Sequence, residues 1–89
     1  MARHKSALKR HAQSERRRVR NHATRSRVRN AIKHVNEAIA ALEATEAGTR
    51  LRIAERLISK AVTKGVLHAN TASRHISRLS RRVNSIRAA

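Results

Sequence analysis

From Val28 onward, the apolar residues of this 89-residue chain fall in helical order. Val28, Ala31, Ile32, Val35, Ala38, Ile39 and Leu42 recur at spacings of three and four, which puts them on one stripe of an amphipathic helix. Upstream of Val28 the stripe disappears. Residues 6–27 offer only Leu8, Val19 and some alanines among charged and polar side chains, yet no Gly or Pro interrupts them and most are fair to good helix formers. The pattern predicts one helix over about 6–46, with Ser6 as its N-cap and Gly48 as the left-handed residue that closes it. At 1.5 Å per residue that helix is about 60 Å long. This exceeds the width of so small a globule, so the first half should project while the second half packs.

Two more stripes follow. Thr49 can cap a helix over about 50–64 that aligns Leu51, Ala54, Ile58, Ala61 and Val62, with Ile53 and Leu57 beside them. Lys60 and Lys64 suit its C-terminal dipole and Gly65 its stop. A third helix over about 69–87, capped by Asn70, sets Ala72, Ile76, Leu79, Val83 and Ile86 at spacings of 4, 3, 4 and 3, a coiled-coil-like seam. No strand-like alternation, internal repeat or low-complexity linker occurs. The expected fold is all-α, a three-helix antiparallel bundle with a long, protruding N-terminal helix, forming one domain over 1–89. Its core must be thin: the apolar fraction is 39%, there is no Phe, Tyr or Trp, and no Cys offers a covalent staple. Ile32 and Leu79 are candidate core residues.

Charge changes the picture from a small bundle to a bundle in need of a counter-ion. Twenty-two Lys and Arg face five acids, a formal net charge of +17. Residues 1–33 carry net +11, residues 34–65 net +1 and residues 66–89 net +5, so the charge sits at both ends. Around the first helix the cations point to every side, spaced to repel one another at three and four residues. Self-repulsion of this density disfavours a compact state without a partner of opposite sign. A solvated basic tail and an Arg-rich transit peptide are the blander explanations. The return of arginine on the third helix, where Arg74, Arg78, Arg81 and Arg82 lie opposite the seam, argues against the transit peptide.

Chemistry other than anion binding finds little footing. The five glutamates are dispersed over residues 15–55 with no nucleophile, base and orienting group among them, so no catalytic residue is assigned. Histidines 4, 11, 22, 34, 68 and 75 match no zinc spacing and stand among cations, so no metal or other cofactor is expected. No run of about 18 apolar residues can be drawn as a transmembrane helix, and the charged segment lacks the apolar face needed to lie on a membrane. Seventeen Arg against five Lys favours forked, bidentate phosphate contacts. The absence of aromatics disfavours base stacking on single strands. A helix basic on every side suits a crevice between several phosphate backbones, which folded RNA provides. A histone-like DNA-compacting protein is the alternative, and a membrane-active or calmodulin-binding helix fits less well.

The opening KSALKR, Lys5 to Arg10, and its continuation through Gln13, Ser14 and Glu15 to Asn21, Arg25, Ser26, Arg29 and Lys33 resemble the bacterial small-subunit ribosomal proteins of the S-twenty family. The more specific match is KGVLHANTASRHISRL, Lys64 to Leu79. The resemblance covers nearly the whole chain. It implies a non-enzymatic protein bound directly to 16S rRNA, at the 5′ domain and the long penultimate stem, within the small ribosomal subunit. A bacterial cytoplasm and an organelle of bacterial descent fit alike, and neither a membrane nor a small-molecule substrate is expected. By resemblance the RNA contacts are Lys5, Ser6, Lys9, Arg10, Asn21, Arg25, Arg29, Lys33, His68, Asn70, Arg74 and His75. By charge and position alone, Arg3, Arg16, Arg17, Arg18, Arg20, His22, Arg27, Arg78, Arg81 and Arg82 join them. The sequence departs from the family in its heavy use of Arg over Lys and its lack of aromatics.

Overall fold

The computed structural model describes residues 2–88, with side chains for residues 5–87. Three helices follow one another, α1 (Ala2–Ala40), α2 (Ala44–Thr63) and α3 (Ala69–Ala88), with no strand among the described residues. They form the expected antiparallel bundle with a long N-terminal helix. Residues near the end of α1 meet the start of α2, and Val28 meets Ile58 and Ala61 further along it. α2 packs against both other helices, while α1 and α3 touch least. The molecule measures 68 × 21 × 14 Å. A 39-residue helix is about 58 Å long, so α1 accounts for most of the long dimension.

Among the described residues, six of the twelve buried apolar ones are alanines, namely Ala31, Ala38, Ala47, Ala54, Ala61 and Ala72. Small side chains let the helices approach closely, so a thin core is dry without aromatic bulk. Ile58, Val35 and Val83 are its largest fully enclosed members, and among the described residues no polar or charged side chain is buried with them. Leu79 is 2% exposed. Ile32, Ile39, Leu51, Leu57, Ile76 and Ile86 are only partly buried and pack against this core. Ile53 is exposed, and so is Leu42 at 75%, which does not join the stripe expected of it.

The helix boundaries correct the sequence reading. α1 ends at Ala40 rather than near 46, because Leu42 itself takes a left-handed backbone, φ 58°. The amide of Leu42 donates to Ile39 O and that of Glu43 to Ala38 O, both at 3.0 Å, the paired bonds of a Schellman closure. Gly48 is therefore not a stop. It lies buried inside α2, and Thr49, one residue on, is no cap: its hydroxyl donates to Thr45 O at 3.2 Å. Ser6 is likewise interior, since nothing in residues 2–5 breaks the helix. Gly65 does close α2, at φ 76°, with its amide donating to Val62 O and that of Val66 to Ala61 O. The cap of α3 is His68 rather than Asn70: the Asn70 amide donates to His68 Nδ1 at 3.0 Å.

Candidate nucleic-acid interface

Val28 is the first buried residue of α1, and every described residue before it is exposed or at most half-buried. Among the described residues, the front of the helix is thus a rod that adds nothing to the buried core. Lys5, Ser6, Lys9, Arg10, Arg16, Arg17, Arg18, Arg20, His22, Arg25, Arg27, Arg29 and Lys33 are all exposed, and Asn21 is half-buried. The Arg3 side chain lies outside the described residues. Cations emerge on all sides, as the helical projection requires.

Little of this charge is neutralised within the chain. Three ion pairs occur among the described residues: Arg18–Glu15 at 2.9 Å, Lys33–Glu37 at 3.9 Å and Arg50–Glu46 at 2.8 Å. All are exposed pairs one helical turn apart, each contributing about 0–1 kcal/mol. Arg18 is consequently partly committed to Glu15, whereas Arg16 makes only a long 3.4 Å contact with Ala12 O.

α3 carries a second cationic strip. Arg74, Arg78 and Arg81 follow at spacings of four and three and are exposed, on the side away from buried Ala72, Leu79 and Val83. His75 is half-buried beside them, and Asn70 and His68 are exposed at the head of the helix. Arg82 has a different part, donating through Nη1 to Asn36 Oδ1 at 3.1 Å and so tying α3 to α1.

One group of candidates is brought together in a concave site. Arg17, Arg20, Asn21, Thr24 and Arg27 of α1 line a cleft of about 600 Å³ with Lys64, Gly65 and Val66 of the α2–α3 turn. Lys5, Lys9 and Arg10, further out on the rod, are not part of it. Thr24 and Lys64 were not singled out as contacts from sequence. Their signal was available: Lys64 precedes the glycine that turns the chain, and Thr24 continues the spacing of the apolar stripe. On α2, Arg52, Arg56 and Lys60 are also exposed but do not line this cleft. Among the described residues, no group of three His, Asp or Glu is placed to hold a metal ion. No helix there is long and apolar enough to cross a membrane.

Comparison with known proteins agrees with this shape and charge. The family model described as Ribosomal protein S20 matches residues 2–84. The chain is similar to the small ribosomal subunit protein bS20 of Desulfovibrio desulfuricans, 53% identical over 88 residues and covering 99% of each chain. It is 49% identical to that of Syntrophobacter fumaroxidans, covering 97% of this chain and 100% of the relative. For Maridesulfovibrio salexigens the identity is 50%, covering 97% and 99%. With a match that runs nearly end to end over rod, bundle and turn alike, the chain belongs to the ribosomal protein S20 family.

Proposed function

We propose that this protein binds small-subunit 16S rRNA directly and stabilises its folding by replacing counterions between strands that would otherwise repel. The family is structural and non-enzymatic, and its members named above are proteins of the small ribosomal subunit. The observation that carries the proposal is the unpacked cationic rod, a helix with no dry side and almost no internal ion pairing. Guanidinium groups on every face suit a crevice walled by several phosphate backbones. The arginine strip of α3 then serves a second RNA segment, and the bundle sets the spacing between the two. The 5′ domain and the long penultimate stem are the segments the family resemblance favours, in a cytoplasmic ribosome.

Filter binding over a salt series tests this. With about ten phosphates neutralised, log affinity should fall with log salt at a slope of roughly −7 to −9. The protein should also prefer 16S rRNA to duplex DNA of equal length at moderate salt. A nearly flat salt dependence would remove the phosphate mechanism, and equal affinity for the duplex would favour a DNA compactor.

A further inference from the structure

The seam of α1 does not stop where the bundle stops. Val28, Ala31, Val35 and Ala38 are spaced 3, 4 and 3, and the same alternation carried toward the N-terminus reaches Thr24, Asn21 and Arg17. Over the bundle this line is covered by α2 and α3. Past the α2–α3 turn it is uncovered by protein, and its residues change from valine and alanine to hydroxyl, amide and guanidinium. The turn overhangs that line and forms the 600 Å³ notch with it. Asn21 and Thr24 are its half-buried floor, while Arg20, His22, Ala23 and Arg25 around them are exposed.

We propose that this notch grips a bend of RNA sugar-phosphate backbone between the rod and the hairpin turn, so that RNA takes over the seam where α2 and α3 leave it. The inference rests on the RNA-binding function proposed above and adds a site to it. Arg17 and Arg27 approach from α1 and Lys64 from the turn, and no acid lines the space. Between these cations the lining is neutral, with Asn21 and Thr24 as its polar part beside Ala23, Gly65 and Val66. The Asn21 amide can donate to a phosphate or a 2′-hydroxyl, and Thr24, whose hydroxyl proton is held by Arg20 O at 3.0 Å, keeps lone pairs to accept from a 2′-hydroxyl.

Helix C-termini ordinarily repel phosphate through their free carbonyls. Here the carbonyls of Lys60, Ala61 and Val62 already accept amides from Lys64, Val66 and Gly65, which removes much of that objection. Around Gly65, the position of an added Cβ has no atom within 4 Å, so a strand can come close to the backbone. A volume of this size holds a short run of backbone rather than a duplex. A strand held from both sides would also fix the rod's direction relative to the bundle.

Because the chain has no cysteine, single cysteines can carry an iron-EDTA cleavage tether. Full-length Ala23→Cys and Thr63→Cys, bound to transcribed 16S rRNA, should cut one shared run of nucleotides, and Arg52→Cys on the outer side of α2 should cut elsewhere or not at all. Lys64→Gln should lower affinity about three- to tenfold and flatten the salt slope by about 0.7–0.9, the share of one phosphate. Arg52→Gln removes the same charge and should leave the slope unchanged. Both side chains are exposed, and circular dichroism of each variant confirms the fold. Cuts from positions 23 and 63 in unrelated segments, or a Lys64→Gln slope equal to that of Arg52→Gln, would overturn the notch while wild-type binding stands. Failure of the wild type to prefer 16S rRNA would instead remove the function on which the notch depends.

Discussion

Replacing Gly48 with alanine should stabilise the free protein, although a glycine in a helical hairpin ordinarily suggests the opposite. The sign depends on where the residue sits. Gly65 has a positive φ, and Gly48 lies inside α2 beyond its first turn, with no positive φ of its own. There it costs about 0.8–1 kcal/mol relative to alanine, through the backbone freedom it loses on folding. Against this stands one obstruction. An added Cβ would run into Nη2 of Arg87, with Cζ at 3.5 Å. That atom is the far end of a flexible, exposed side chain with no ion pair among the described residues, so displacing it costs no more than about 0.5 kcal/mol, the scale of surface changes. The net gain is about 0.5 kcal/mol, which for a domain of this size raises Tm by about 2–4 °C. Thermal melts by far-ultraviolet circular dichroism at fixed ionic strength would show it. The Gly48→Ala, Arg87→Ala double mutant should recover a further few tenths of a kcal/mol by removing the obstruction. A fall of several degrees that Arg87→Ala does not relieve would refute both the helical placement of Gly48 and the claim that only a mobile guanidinium opposes it.

Leu42→Gly should stabilise by about 0.5–1 kcal/mol in urea titrations, since it relieves a left-handed strain of about 1–2 kcal/mol at an entropic cost below 1. Gly65→Ala should destabilise by about 1 kcal/mol in the same assay, and equal effects of opposite placement would be inconsistent with the two observed φ values. Leu79→Ala should cost about 2–5 kcal/mol, and Ile32→Ala less because Ile32 is only half-buried. Reversal of that order would mean the core is centred elsewhere. In RNA-free protein, amides of residues 6–27 should exchange far faster than those of 28–40, and full protection of the front segment would show that it needs no counter-charge.

The fold was legible wherever apolar spacing carried it. The seams over Val28 to Ala38 and Ala72 to Ile86 name the packed faces of α1 and α3, and Gly65 names a stop because only a residue without Cβ takes φ 76° freely. The first turn was misplaced because its left-handed residue is a leucine, which no turn rule favours. A second signal was present in the phase. Extending the α1 seam at spacings of 4, 3 and 4 from Ala38 lands on Leu42, Thr45 and Thr49, which are exposed, whereas Ala47, Ala54 and Ile58 hold the buried line of α2. A seam that falls out of step marks a break, and it placed that break before Thr45. The candidate site divides in the same manner. Exposed arginines could be named from charge, but the notch joins residues 17–27 to residues 64–66 and exists only once the hairpin returns to α1.

The same seam explains why the rod should depend on its partner. Helix formation in α1 needs no separate nucleus, because residues 28–40 are fixed by α2 and α3 and the helix can grow outward from them. Growth then meets repulsion. Lys5–Lys9, Arg16–Arg20, Arg17–Arg20 and Arg25–Arg29 are like charges three or four apart, together costing about 0.8–2 kcal/mol, against a single Glu15–Arg18 attraction in that stretch. No burial offsets them, since the uncovered seam before Val28 carries Thr24, Asn21 and Arg17. Fraying should therefore advance from the N-terminus and stop at the first covered residue. A polyanion reverses the sign of every one of these terms at once, because charges that repel each other across a turn become neighbouring contacts on one backbone. Order in the rod and occupancy of its surroundings by phosphate are in this sense a single equilibrium, and the bundle's part is to hold its starting point.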